Sequence, residues 1–392
     1  MAIRENYLKK IRPFYDSDLI KIITGIRRSG KSVLLRQVHD EIIARGDECV
    51  FLDFELKPTR DAISDATSLI EYVSGKKTDG TLYLFLDEVQ NVDGWSEACR
   101  SLRLMGCSVF ISGSNSRLLS SEFTKELSGR YVSFRVRPFV YREILEYMKE
   151  LGRQYSIMDY LVWGGFPAAI AQPDLDSMKR YLSDLNDTIV YNDLVHRYQI
   201  RRRDVFERVV DYVLVSNARV SSSTAISKYM KGQQVDVSVP TVLKYLEYLR
   251  EAYVISSLSQ YSTKTKSKMS YYQKLYDEDV SFNSIRCLDG RFDITHNLEN
   301  VVLNELLFMG YEVSVYEHGS YEIDFRASRD GKVDLIQVAY SVADEKTYDR
   351  EFRAFNILDN SMQKILITCD DIDYSTSTVR HIKLKDFLMN AN

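Results

Sequence analysis

Short apolar runs recur through the first third of the chain, at residues 19–24, 49–54, 82–86 and 108–112. Such runs, bounded by polar and turn residues, read as strands covered on both faces, the pattern of a parallel sheet. Between them, residues 33–38, 69–73 and 95–105 carry helical spacing, and a Gly/Lys/Thr turn at 75–80 precedes the third strand. Residues 131–136 alternate like a further strand. Strands separated by helices predict an α/β, doubly wound parallel sheet over residues 1–150.

Beyond it the pattern changes. Residues 151–203 read as a helical lid or linker, with Gly164-Gly165-Phe166-Pro167 as a turn. Residues 204–280 give three apolar helix faces: Phe206-Val209-Val210-Val213-Leu214, then Ile226-Tyr229-Met230, then Val242-Leu243-Tyr245-Leu246-Leu249. Pro240 opens the last of these, where its missing N–H costs nothing. Residues 254–258 and 274–276 fit a two-stranded wing, so this block reads as a winged helix. Residues 281–392 return to α/β, with an amphipathic helix at 297–309 and strands at 311–317, 322–326 and 333–339.

At 392 residues the chain is too long for one ordinary core. Its net charge of −4 excludes a uniformly basic coat and confines any nucleic-acid contact to local patches. The five cysteines stand singly, without metal spacing, as thiols of a reducing compartment do. No apolar leader and no run of membrane length is present, so the expectation is a cytoplasmic protein with no membrane partner.

The strongest chemical signal is Gly25-Ile26-Arg27-Arg28-Ser29-Gly30-Lys31-Ser32, a complete GxxxxGK[ST] loop between a strand and a helix. Its glycines let several N–H groups face one phosphate cluster, and the following helix adds the positive end of its dipole. Gly25, Arg28, Ser29, Gly30, Lys31, Ser32 and Val33 form the expected ATP-binding set, with Lys31 on the β- and γ-phosphates. Leu82-Tyr83-Leu84-Phe85-Leu86-Asp87-Glu88 is a buried strand ending in two acids. Ligands of such sheets collect at the strands' carboxyl ends, which places Asp87 beside Ser32 as a Mg2+ pair and Glu88 as the base that polarises water. The plain alternatives are a chance loop match and a polar strand cap.

The loop with paired arginines, the LFLDEVQ and ISGSNSRLLS segments, Leu127-Ser128-Gly129-Arg130 and Pro138-Phe139 together resemble the prokaryotic AAA-type ATPases that carry a C-terminal domain of unknown function. Gly164-Gly165-Phe166-Pro167 and Lys274-Leu275-Tyr276-Asp277-Glu278-Asp279 extend the resemblance over nearly the whole chain. It implies an extra strand between the loop strand and the acidic strand, and a polar sensor at Asn115, with Ser114 the close competitor. Arg130 matches an arginine finger or a sensor within the same subunit, the other reading being a surface ion pair. Arg27 and Arg28 either add charge near the phosphates or face solvent.

Two regions carry candidate nucleic-acid chemistry. Arg201, Arg202 and Arg203 end the densest basic run, and Lys264, Lys266 and Lys268 alternate in the wing beside Tyr271 and Tyr272, a pattern suited to a DNA or RNA backbone. Both also suit solvated surface or a protein contact. The C-terminal block resembles the restriction-endonuclease-like fold, in which Glu299 and Asp324 match two metal-binding acids. Its third position reads Gln337-Val338-Ala339, an amide for the acid and a methyl for the lysine, so nuclease activity is not expected unless Lys346 supplies the cation. The expected function is an ATPase that couples hydrolysis to conformational change in a nucleic-acid process. Alternatives are a nucleotide-controlled signalling switch, a homo-oligomer or one gripping a protein partner, and an ATP-gated metal-dependent nuclease.

Overall fold

The computed structural model describes residues 2–114, 129–262, 267–287, 289–318, 321–356 and 362–389, with backbone alone at 192, 262 and 267–272. Asn115, Lys264 and Lys266 lie outside the described residues, as does the side chain of Lys268. Contacts divide the chain into two units, Met1–Pro138 with Glu251–Tyr253, and Phe139–Arg250 with Val254–Asn392.

In the first unit, helix α1 (Glu5–Ile11) precedes β1 (Ile20–Thr24), α2 (Lys31–Ala44), β2 (Cys49–Asp53), α3 (Ala66–Ser74), β3 (Tyr83–Asp87), α4 (Trp95–Leu104), β4 (Ser108–Gly113) and β5 (Tyr131–Arg135). The strands form one parallel sheet ordered β2-β3-β4-β1-β5, so β4 is the extra strand between the loop strand and the acidic strand. Both faces are covered, which is why the strands lack a polar alternation. One face packs Ile20, Ile22, Leu84, Leu86, Val109 and Ile111 among Leu69, Val73, Ala98 and Leu102. On the other, Phe51, Phe85 and Phe110 are cross-strand neighbours, with stacked rings 6.1 and 4.8 Å apart. Lys21 ends that row, its ammonium 4.5 Å from the Phe110 centroid.

The second unit contains α5 (Tyr141–Glu150), α6 (Ile157–Trp163), α7 (Leu175–Asn186), α8 (Arg203–Val215), β6 (Arg219–Ser221), α9 (Ser223–Gly232), α10 (Val239–Glu251), β7 (Ile255–Ser262), β8 (Ser267–Asp277), α11 (Ile294–Phe308), β9 (Glu312–His318), β10 (Tyr321–Arg329), β11 (Lys332–Val338), α12 (Glu345–Asn356), β12 (Gln363–Thr368), β13 (Val379–Lys383) and α13 (Leu384–Met389). Its sheet of eight strands runs β13-β12-β11-β10-β9-β7-β8-β6. The wing and the C-terminal α/β region are therefore one sheet, joined by parallel pairing of Gln260, Tyr261 and Ser262 with Val315, Tyr316 and Glu317.

The compact units do not coincide with the expected domain limits. The first compact unit ends at Pro138, before the limit expected at 150, because α5 packs within the second unit: Arg142 pairs with Glu305 at 2.8 Å and bonds the Leu388 carbonyl at 3.4 Å. The limits at 203 and 280 separate no units, since the sheet crosses the second of them. The winged-helix faces are as read from spacing, except that Tyr229 and Leu243 flank their stripes and are exposed.

The glycine pair and the KLYDED segment, both prominent in the sequence, meet in the second unit. Gly165 N–H donates to Asp279 at 2.8 Å, and a Cβ at Gly164 would sit 1.8 Å from the same carboxylate. Glycine is required there because any side chain would displace Asp279. Among the described residues, no helix is long and apolar enough to cross a membrane.

Candidate functional site

The phosphate loop leaves β1 at Thr24 and enters α2 at Lys31, so its N–H groups gather at a helix N-terminus. Val136 carbonyl fills the space where Gly25 would carry a Cβ, at 2.0 Å, which leaves glycine as the residue that fits. Lys31 is buried and its ammonium donates to the loop's own Ile26 carbonyl at 3.0 Å. Burial lowers its pKa, while Glu88 and Asp87 work against that. The hydroxyls of Thr24 and Ser29 are buried without a hydrogen-bond partner, which leaves donors for an anion. Arg28 is exposed, and Arg27 pairs with Glu55 at 3.2 Å.

The acids arrive where strand order places them. Asp87, the last residue of β3, is buried, and burial raises its pKa. The hydrogen bond from Ser112, and Ser32 nearby, oppose that rise. Ser32, in the first turn of α2, thus lies near the carboxylate of Asp87, as a shared metal site requires. Val33 follows, half-buried in the first turn of α2. Glu88 takes a left-handed backbone at φ 50°, and its N–H donates to Ser112 Oγ at 3.2 Å. One of its carboxylate oxygens accepts from Gln90 and from Ser114, the latter at 3.4 Å.

Ser112 and Gln90 were not singled out by sequence reasoning. Ser112, a polar residue inside an apolar strand, bonds both acids, and that anomaly was the available signal. Ser114 reaches Glu88. Arg130 is not brought to the pocket. It is exposed, precedes β5, and its carbonyl accepts from Ile20 at the start of β1, one strand length from the loop, ~15 Å at ~3.3 Å per residue.

In the second unit Glu299 and Asp324 converge as expected, but the cation among them is neither at 339 nor at 346. Ala339 lies in an apolar cluster and Lys346 is exposed on α12. Lys274 of β8 takes the place, 2.7 Å from Glu299, 3.4 Å from Glu322 and 3.5 Å from Asp324. Burial disfavours its charge, but Glu299 and Asp324 outweigh that and raise its pKa. Glu299 is pushed up to about 8 by burial and by Asp324, against Lys274 and Tyr276, whose hydroxyl donates to it at 2.6 Å. Gln337 accepts from Asp324 N–H at 3.3 Å and donates to Glu351 at 2.7 Å. Among the described residues, no group of three or more His, Cys, Asp or Glu is arranged to hold a metal ion.

Among the basic residues, Arg201, Arg202 and Arg203 are exposed. Arg202 donates to the Asp236 carbonyl at 2.8 Å, beside the turn into α10, and Arg203 pairs with Glu207 at 2.6 Å.

Residues 17–145 match the AAA domain family, and residues 154–285 match a domain of unknown function (DUF8612). An uncharacterized protein of Haemophilus influenzae is 32% identical over 94% of this chain and 93% of its own length. The uncharacterized protein MJ1544 of Methanocaldococcus jannaschii is 30% identical over 92% of this chain and 84% of its own. The Walker-type ATPase paby2304 of Pyrococcus abyssi shares the fold, with a TM-score of 0.50 at 17% identity over 73% of this chain and 96% of that one. With an AAA domain, its phosphate loop and a match to these relatives over most of their length, the chain belongs to the prokaryotic AAA-type ATP-binding proteins that carry a winged-helix-type region and an uncharacterized C-terminal domain.

Proposed function

We propose that the chain hydrolyses ATP with magnesium at the meeting of the phosphate loop and β3, and uses the change to act on nucleic acid. The observation that carries the first half is the buried carboxylate of Asp87 at the end of β3, near enough to Ser32 in the first turn of α2 to be held down by it, with Glu88 next in the chain. Lys31, the loop N–H groups and the free hydroxyl of Ser29 would hold the phosphates, and Ser32 with Asp87 would hold magnesium. When bound, the metal supplies positive charge to the β- and γ-phosphate oxygens. Glu88 orients a water and takes its proton, with Ser114 and Gln90 fixing which oxygen stays free to do so.

The second half is supported by the winged helix. Arg202 bonds the turn that starts α10, so the arginine run lies beside the helix that such folds lay against a duplex, and Lys244 is exposed on that helix. The wing that follows carries Lys264, Lys266 and Lys268. The endonuclease-like centre is read as silent. Lys274 sits among the carboxylates where a metal would go, and Gln337 lacks the charge of a third ligand.

The test is ATP turnover of the full chain with and without single- and double-stranded nucleic acid. Lys31→Ala should lose nucleotide affinity, whereas Glu88→Gln should keep affinity and lose turnover by ~100-fold or more. Near-normal turnover by Glu88→Gln removes it as the base. A nucleotide-dependent change in mass, with no nucleic-acid affinity, would move the reading to a protein-binding switch.

A further inference from the structure

Two chain segments leave the top of the first unit's sheet side by side. β1 passes into the phosphate loop, and β5 passes into residues 136–138, the last before the second unit begins. They touch directly at the loop's first glycine, where Val136 N–H donates to the Thr24 carbonyl at 2.7 Å and Val136 carbonyl packs against Gly25.

At the loop's other end they are joined through the N-terminal segment. Arg4 is 1% exposed, deep enough that an unsatisfied guanidinium would be strongly destabilising. Its Nη1 donates to the Ser29 carbonyl at 2.9 Å, and Nη1 and Nη2 both donate to the Arg137 carbonyl at 3.1 Å. Tyr7 lies beneath it, the guanidinium carbon 4.6 Å from the ring centroid, and the Tyr7 hydroxyl accepts from Arg137 N–H at 3.0 Å. Arg4 N–H in turn donates to Gln37 of α2 at 3.1 Å.

The consequence follows from peptide geometry. In a trans peptide the carbonyl and the next N–H point in opposite directions. A guanidinium that pulls the Ser29 carbonyl outward therefore aims the Gly30 N–H inward, toward the phosphates. The planar fork fixes that orientation better than a point charge can.

We infer that Arg4 is a positioning residue for the phosphate loop and its tie to residues 136–138. Through it a change in the loop on nucleotide binding is passed to the segment where the chain leaves the first unit. The inference rests on the nucleotide-binding reading above.

The experiment is amide hydrogen exchange on the full chain, without nucleotide and with a non-hydrolysable ATP analogue, for wild type, Arg4→Ala, Arg4→Lys and Tyr7→Phe. Losing charge-assisted hydrogen bonds should speed exchange at residues 29–32 of nucleotide-free Arg4→Ala by ~10- to 100-fold and weaken analogue binding by a similar factor. Arg4→Lys should fall between, because one ammonium does not reproduce the fork. At saturating analogue, the amides of Val136 and Arg137 should gain protection in wild type and not in Arg4→Ala. Tyr7→Phe, which keeps the guanidinium, should retain the loop's protection and the affinity. If Arg4→Ala does not fold, Arg4→Lys and Tyr7→Phe carry the comparison. Wild-type loop exchange and affinity in both Arg4 variants overturns the inference, as does a uniform loss of protection that includes β2 and β3. Wild type that binds no analogue sinks the nucleotide reading instead, while the nucleotide-free exchange still reports on Arg4.

Discussion

Lys21 is a charge in the middle of the strand that feeds the phosphate loop. Its ammonium donates to Ser108 Oγ at 2.8 Å and the Ser17 carbonyl at 3.0 Å, and burial brings its pKa down to about 8 against the pull of Asp16 and Asp18. Folding therefore disfavours the charge relative to the unfolded chain, although the ammonium still predominates at neutral pH. Between about 8 and the ordinary lysine value the unfolded chain binds more protons, so stability rises with pH through that window and is lost as pH falls toward 8. Lys21→Met should stabilise the first unit at pH 7 by ~1–3 kcal/mol and lose the advantage near pH ~10.5. Urea unfolding followed by Trp95, in a Trp163→Phe background, checks this; parallel pH curves for the two proteins would refute it. The candidate site's central residues stand out in the sequence because a phosphate loop is contiguous, and Asp87 and Glu88 end an apolar run. Ser112 does not, because only the pairing of β3 with β4 brings it to both acids. Arg4 was silent for the same reason: nothing near it in sequence indicates that it meets Ser29 and Arg137.

At the level of elements, the strands and helices were readable from periodicity, but the pairing of β7 with β9 was not. A parallel contact between separated segments leaves no local pattern, so the wing and the endonuclease-like strands read as separate domains. The same blind spot hid Lys274, which the sequence places in a wing strand and the sheet places among Glu299, Glu322 and Asp324. With an ammonium held between carboxylates, the centre is charge-compensated without a metal. In the absence of nucleotide, manganese or magnesium should leave the wild-type melting temperature unmoved and plasmid DNA intact. Lys274→Ala leaves buried acids unpaired, which costs about 3–5 kcal/mol, and millimolar manganese should then restore part of the lost melting temperature. A metal-dependent rise in the wild type, with DNA cleavage abolished by Asp324→Ala, would show instead that the centre is active with Lys274 as its cation.

At the scale of the whole molecule, the parallel sheet separates the phosphate loop from Arg130 by the length of β1. The loop extends from the carboxyl end of that strand, while Arg130 hydrogen-bonds its amino end. An arginine side chain spans roughly 7 Å, about two residues of extended chain, so Arg130 falls short of the nucleotide of its own subunit across ~15 Å. If it acts in catalysis, it acts on a neighbour, and the arrangement then demands an assembly in which this edge of one sheet faces the loop of the next. Arg130→Ala should therefore lose turnover while keeping nucleotide affinity, whereas Lys31→Ala loses affinity. Mixing the two should restore part of the activity, because the Arg130→Ala subunit offers an intact pocket and the Lys31→Ala subunit offers the arginine. For random pairs, half are mixed and one of the two sites in each is complete, so recovery should approach about a quarter of wild type. Mixed assemblies confirmed by mass but with no recovery would confine Arg130 to a surface role, and full activity of Arg130→Ala alone would remove it from catalysis.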